Sequence, residues 1–220
     1  YIMGPEVTEL EKKLAALVGV KHCVSCSSGT DALLILLMVK DIGNGDAVIT
    51  TPFTYIATCE VISLLGATPI FVDINKDTFN IDPYSIDKAY DSAIKKKLIP
   101  KAIIPVDLFG LPARYRVIQE VSEAYNLFII EDGAQSFGAS IRTKKSCSFG
   151  DAASTSFFPA KPLGSYGDGG AIFTNDDKIA KTARSISIHG QGADKYHNVR
   201  LGINGRLDTL QAAILLEKVE

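Results

Sequence analysis

The sequence predicts a layered α/β fold built on a mostly parallel sheet. Three observations lead there. Short apolar runs alternate with longer amphipathic ones from end to end. The connections between them are short, as in strand–helix–strand units. The composition, 46% hydrophobic and 22% charged, is that of a globular domain and excludes disorder, collagen and coiled coil. The 220 residues exceed an average domain of ~150 but fit a single large one. Surface scaling for 23.6 kDa gives roughly 9,800 Å² folded against roughly 34,000 Å² unfolded, so no disulfide or metal is needed to hold it.

The elements follow in order. Val7, Leu10, Leu14, Leu17 and Val18 recur at helical spacing and Gly19 supplies a stop. His22 to Cys26 alternates as a strand. A helix over 30–40 carries the longest apolar run, Ala32 to Val39, far short of the ~18 residues that span a membrane. Strands near 47–51 and 69–72 bracket a helix near 54–65. Helices near 83–96 and 112–125 each lead into a strand, near 102–106 and 127–131. Strands near 152–157 and 170–174 make seven, and a helix near 176–187 follows. Leu207, Leu210, Ile214, Leu215 and Val219 keep a helical rhythm to the final residue. The chain starts at Tyr1 inside a helix signal and stops without Gly, Pro or a polar tail. The expectation is one domain, 1–220, truncated at both ends.

Charge and cysteine content narrow the function classes. A net charge of −2, from 23 basic and 25 acidic residues, provides no global field for nucleic acid. Lys95-Lys96-Lys97 reads as a solvated helix end. The pair Cys23-x-x-Cys26 has redox or half-zinc spacing, yet no second pair completes four ligands, so no metal is expected. No signal peptide opens the chain. These features read as a soluble, cytoplasmic protein without nucleic-acid or membrane partners.

In open α/β sheets ligands gather at the carboxyl ends of the strands, and four such ends stand out. After the first strand comes Ser27-Ser28-Gly29-Thr30-Asp31, opening an apolar helix. It is either an anion site at a helix N-terminus or an ordinary N-cap by Ser28 or Thr30. Tyr55, in Thr51-Pro52-Phe53-Thr54-Tyr55, either stacks on a flat ligand or packs. The fifth strand ends in Glu131-Asp132-Gly133-Ala134-Gln135-Ser136. A carboxylate there is costly without a cationic partner. Asp132 would suit a protonated ring nitrogen with Gln135 bonding a neighbouring oxygen, or it caps the next helix. Lys161 lies between Pro159 and Pro162, ahead of Gly164, Gly167, Gly169 and Gly170. It is a Schiff-base lysine on a stiff backbone or a surface loop lysine. The glycines form neither a dinucleotide fingerprint nor a phosphate loop of the G-x-x-x-x-G-K type. Taken together, an anion site, a ring-stacker, a carboxylate and a held lysine describe a pocket for pyridoxal phosphate (PLP).

At this point the chain resembles the DegT-type nucleotide-sugar aminotransferases, PLP enzymes of the aspartate aminotransferase fold, closest to members aminating 3-keto sugars. The ordered motifs are Gly4-Pro5-Glu6-Val7, Ser28-Gly29-Thr30-Asp31-Ala32-Leu33, Thr54-Tyr55-Ile56-Ala57-Thr58, Glu131-Asp132-Gly133-Ala134-Gln135 and Ser156-Phe157-x-x-x-Lys161. Gly167-Asp168-Gly169-Gly170, Asn198-Val199-Arg200-Leu201 and Arg206-Leu207-Asp208-Thr209-Leu210-Gln211-Ala212-Ala213 complete them. The resemblance implies a three-layer α/β/α large domain of PLP fold type I with a seven-stranded, mostly parallel sheet, and a C-terminal small domain absent from this chain. It implies that Lys161 forms the Schiff base and Asp132 pairs with the ring nitrogen. Gln135 bonds the ring hydroxyl and Tyr55 stacks on the ring. Gly29, Thr30, Asp31 and Ser156 hold the phosphate. Asn198 reaches the phosphate of a partner subunit, so a homodimer is implied.

The implied reaction moves an amino group from L-glutamate to a nucleotide-linked keto-sugar for polysaccharide or lipopolysaccharide biosynthesis, with Lys161 as base and acid in turn. The lead substrate is a UDP-linked 3-keto N-acetylhexosaminuronate and the runner-up a dTDP-3-keto-6-deoxyhexose. His189, on a loop after a helix, is a candidate sugar contact or an exposed histidine. The presence of Lys161 and Asp132 weighs against a PLP-fold dehydratase or a non-catalytic regulatory protein.

Overall fold

A computed structural model describes residues 1–194 and 196–219. Its elements in chain order are α1 (Pro5–Val18), β1 (His22–Cys26), α2 (Gly29–Val39), β2 (Asp46–Thr50), α3 (Ala57–Leu64), β3 (Thr68–Phe71), α4 (Ile86–Lys95), β4 (Ile99–Ile103) and α5 (Tyr115–Tyr125). They continue with β5 (Phe128–Asp132), a two-residue hairpin β6 (Ser140–Ile141) and β7 (Lys144–Lys145), β8 (Ala152–Ser156), β9 (Gly170–Thr174), α6 (Asp177–Ser187) and α7 (Thr209–Lys218). Seven strands form one sheet in the order β1-β9-β8-β5-β4-β2-β3. Every neighbouring pair is parallel except the two made by β9.

Strand alternation divides the core between the two faces of the sheet. Val24, Ile172, Ala152, Ile130, Ala102 and Val48 pack with Leu33, Ile35 and Leu36 of α2, Val61 and Ile62 of α3 and Ala183 and Ile186 of α6. Their chain neighbours on the other face divide in two. Cys23, Ala153, Ala171 and Phe173 meet Leu10 and Leu14 of α1 and Leu215 of α7. Ala47, Ile49, Ile103 and Ile129 meet Ile86, Ala89 and Ala93 of α4 and Ile118 of α5. Three layers result. At ~1.5–3 kcal/mol for each fully buried large aliphatic side chain, these contacts set the sheet's place between its helices.

Where boundaries differ from those the sequence predicts, prolines and caps explain it. The strand expected over 102–106 runs from Ile99 to Ile103, because Pro105 has no N–H for the ladder. The segment beyond it still follows β5, through the Asp132 N–H to Pro105 O bond of 3.0 Å and the Asp107 N–H to Asp132 O bond of 3.1 Å. The helix expected from 112 begins at Tyr115, past Pro112, and that expected from 83 begins as a 3-10 turn, Pro83–Ser85, before α4. Gly19 closes α1 in the left-handed region, φ +81°, where a side chain would be strained. The hairpin of β6 and β7 was not visible in the periodicity, being too short to show one. Among the described residues no helix is long and apolar enough to cross a membrane, and no group of His, Cys, Asp and Glu could hold a metal.

Candidate active site

The carboxyl ends of the central strands open into a cavity of about 880 Å³, which Gly29, Thr30, Tyr55, Asp132, Gln135, Ser156 and Lys161 all line. The sheet register brings part of this about. Cys26, Gly170 and Ser156 lie at one level across β1, β9 and β8, so α2, which starts just after β1, begins beside the end of β8. A Cβ on Gly29 would come within 2.7 Å of the Ser156 Cβ. Only glycine lets the helix start approach that strand end so closely.

The two readings of the Ser27–Asp31 segment turn out to be compatible. Ser28 is the N-cap of α2, and its Oγ accepts from the Asp31 N–H at 3.0 Å. The amides of Gly29 and Thr30 sit in the first turn, where a helix provides no intrahelical acceptor, and both residues border the cavity. Asp31 is separated from them. Its N–H belongs to the cap, its carboxylate accepts from the Ser27 hydroxyl, and it is not part of the cavity wall. The same cap that leaves its two predecessors at the cavity occupies the Asp31 N–H.

Asp132 ends β5 and is 5% exposed. Its Oδ2 accepts from the Thr58 hydroxyl at 2.9 Å and its Oδ1 from the Ala134 N–H at 3.2 Å, while Thr58 also meets the Thr54 hydroxyl at 3.0 Å. Burial pushes the Asp132 carboxyl up; these two donors and the charge of Lys161 draw it partly back. The helix-capping alternative for Asp132 has no helix to cap, since residues 134–138 form turns and β6 follows. Thr58 went unnoticed as a site residue in sequence, although it lies in the Tyr55 motif, because a threonine in a helix carries no distinguishing pattern.

Tyr55 is 68% exposed and borders the cavity, so its ring is not engaged in the core. Gln135 is oriented by a contact that sequence reasoning did not anticipate. Its Oε1 accepts from the Phe109 N–H at 2.9 Å. A backbone N–H can only donate, so the amide oxygen is assigned and the NH₂ group is what Gln135 has left to offer. Ser156 Oγ accepts from the Phe158 N–H at 3.2 Å, at the start of the segment that carries Lys161, which is half-buried.

Two candidates lie elsewhere. His189 is exposed on the turn after α6, outside the cavity wall, with its N–H bonded to Ile203 O at 2.9 Å. Asn198 is also exposed and outside the wall, its amide donating to His189 O at 2.8 Å. The cysteines are all reduced, and burial pushes the Cys23 and Cys26 thiols up, consistent with core packing rather than metal or redox use.

A sequence model described as the DegT/DnrJ/EryC1/StrS aminotransferase family matches residues 1–220. A UDP-2-acetamido-2-deoxy-3-oxo-D-glucuronate aminotransferase of Pseudomonas aeruginosa is 54% identical over 220 residues, covering 100% of this chain and 59% of that protein. The crystal structure of a DegT DnrJ EryC1 StrS aminotransferase from Brucella abortus superposes with a TM-score of 0.98 at 54% identity, over 100% of this chain and 59% of that one. NtdA from Bacillus subtilis, solved with bound cofactor PMP, superposes at 0.88 with 33% identity, over 99% of this chain and 48% of that one. The chain thus spans about three fifths or less of the length of these proteins. Residue for residue and fold for fold, the chain belongs to the DegT/DnrJ/EryC1/StrS aminotransferase family.

Proposed function

We propose that this chain forms the cofactor-binding part of a PLP-dependent aminotransferase that moves an amino group from L-glutamate to a nucleotide-linked keto-sugar. The observation that carries the reading is Asp132, a buried carboxylate with two hydrogen-bond donors and the charge of Lys161 nearby. It lines one cavity with that lysine and with the first-turn amides of α2. A buried carboxylate whose burial is only partly offset favours one more cation, as a protonated pyridine nitrogen is. The amides of Gly29 and Thr30 suit a phosphate, the NH₂ of Gln135 suits a phenolic oxygen, and the exposed Tyr55 ring suits a flat face. The residues fit PLP.

Bound there, PLP supplies a carbonyl carbon that accepts the amino group and a ring that takes up electrons from the bond being broken. Asp132 holds the proton on the ring nitrogen by its negative charge. Thr58 and Ala134 orient that carboxylate. Lys161 Nζ would take the proton from the donor's α-carbon and return it on the far side of the transferred nitrogen, two atoms along, as base and then acid. Ser156, with Gly29 and Thr30, anchors the phosphate end and so sets the distance to Lys161.

The relative from Pseudomonas aeruginosa supports a UDP-linked 3-keto N-acetylhexosaminuronate as acceptor, hence a role in cell-surface polysaccharide synthesis. A homodimer is part of the proposal: Asn198 stands outside its own cavity, and Tyr55, Ile56 and Phe109 are exposed, which suits a second copy at the cavity mouth. Four cysteines without a disulfide support a reducing compartment, the cytoplasm.

The test is an absorption spectrum with PLP before and after borohydride, followed by peptide mapping. A violet-region band lost on reduction, with the pyridoxyl mass on the Lys161 peptide, is expected. Lys161→Ala should lose that adduct and turnover while still binding the amine form of the cofactor. A colourless wild-type protein in its full-length form, or full activity in Lys161→Ala, would overturn the reading.

A further inference from the structure

We propose that Asp107 is a positioning residue for Gln135: it ties the 108–113 loop to the 133–136 turn and thereby fixes which end of the Gln135 amide faces the cavity. Asp107 is fully buried just beyond β4, and each of its carboxylate oxygens serves a different segment. Oδ1 accepts from the Ala113 N–H at 2.9 Å and the Tyr115 hydroxyl at 2.7 Å, which closes the loop on itself. Oδ2 accepts from the Ser136 hydroxyl at 2.8 Å, one residue after Gln135. Its backbone N–H is bonded to Asp132 O at 3.1 Å, so the same residue is tied to the strand end that carries the site carboxylate.

Between the anchors lies Phe109, whose φ of +56° is in the left-handed region. A bulky residue stays there only where its surroundings leave no alternative. Asn80 completes those surroundings: its Oδ1 accepts from the Leu108 N–H at 3.1 Å and its Nδ2 donates to Leu111 O at 2.9 Å. The strained conformation turns the Phe109 N–H onto Gln135 Oε1. With that oxygen occupied, Gln135 presents a donor. The geometry stands by itself; that the donor serves a ring oxygen rests on the PLP reading above.

Hydrogen exchange on the cofactor-free chain tests the geometry. Gln135→Ala removes the acceptor, so the Phe109 amide should exchange roughly ten-fold faster. Asp107→Ala should do the same while the β4 and β5 amides of Ile103 and Ile129 stay protected. If that variant does not fold, Ser136→Ala cuts the tie to the turn, together with the Ser136–Ser146 hydroxyl contact, while leaving the Asp107 bonds to Ala113 and Tyr115, and should show the same acceleration. A Phe109 rate unchanged from wild type in Ser136→Ala overturns the proposal. With PLP, Gln135→Ala and Ser136→Ala should each weaken binding and shift the absorption band. The double variant should bind no more weakly than Gln135→Ala alone, because Ser136 acts through that amide. Additive losses overturn it. A wild type that binds no PLP overturns the proposed function instead, and the exchange result still decides the role of Asp107.

Discussion

Asp132 shows how a single residue can work against its fold for the sake of its site. Burial raises the carboxyl, and Thr58, Ala134 and Lys161 offset this only in part, so the fold disfavours the charged form that the site would use. Replacing it with asparagine keeps the shape and removes the charge. Asp132→Asn is therefore expected to leave the melting temperature of the cofactor-free chain unchanged or raise it. Turnover should fall by roughly a hundred-fold or more, since proton transfer at the donor carbon then loses its electron sink. A melting temperature several degrees lower would show that the carboxylate holds Thr58 and Ala134 more than it costs. Much of this was legible in sequence: a carboxylate closing an apolar strand is conspicuous, as is a lysine between prolines. Thr58 and Asp107 were not, because their importance lies in partners 74 and 29 residues away, Asp132 and Ser136.

At the scale of elements, the first turn of α2 does two jobs with four residues. Ser28 caps the helix and Asp31 completes the cap, which leaves Gly29 and Thr30 facing the cavity. Gly29 also sets how close the helix comes to β8. Gly29→Ala would place a methyl 2.7 Å from the Ser156 Cβ, and overpacking of that kind costs about 1–3 kcal/mol. The expected result is a lower urea midpoint together with weaker binding of PLP, read from the absorption band as PLP is added. Normal stability with unimpaired binding would mean that α2 and β8 separate freely. The sequence groups Asp31 with Gly29 and Thr30, whereas only the latter two border the cavity. Which residues of a cap face a cavity depends on the rotation of the helix about its axis, and the packing of Leu33, Ile35 and Leu36 against the sheet sets that rotation.

Across the whole molecule, a second buried carboxylate cluster lies behind the site. Glu131 accepts from the Phe149 N–H at 2.7 Å, the Ser146 hydroxyl at 3.2 Å and the Cys147 N–H, and Ser146 also reaches Asp107 at 3.4 Å. Burial, then the neighbouring Asp107, pushes Glu131 up to about 8, and burial pushes Asp107 up to about 6. In the unfolded chain such groups titrate near ~4, so between there and about pH 8 the folded state binds more protons. The stabilisation is complete below ~4 and is lost as pH rises through the folded values. Asp176 and Asp177 are lowered by their hydrogen bonds, and their opposite contribution is confined to acid pH. The urea midpoint should therefore fall between pH 5 and pH 8.5, and Glu131→Gln should flatten that slope; a midpoint that rises over this range would contradict the assignment.

The sequence by itself determined the fold class, the seven strands, the cavity end of the sheet and seven of the residues that border it: Gly29, Thr30, Tyr55, Asp132, Gln135, Ser156 and Lys161. Those properties follow from local rules: hydrophobic period, turn residues, and the cost of a charge at the end of an apolar strand. Tertiary structure alone decided the strand order, the reversal of β9, the level at which Ser156 meets Gly29, and the contacts that orient Gln135 and Asp132. These depend on pairings between residues far apart in the chain, and the energy of such a pairing resides in the contact, not in either residue alone.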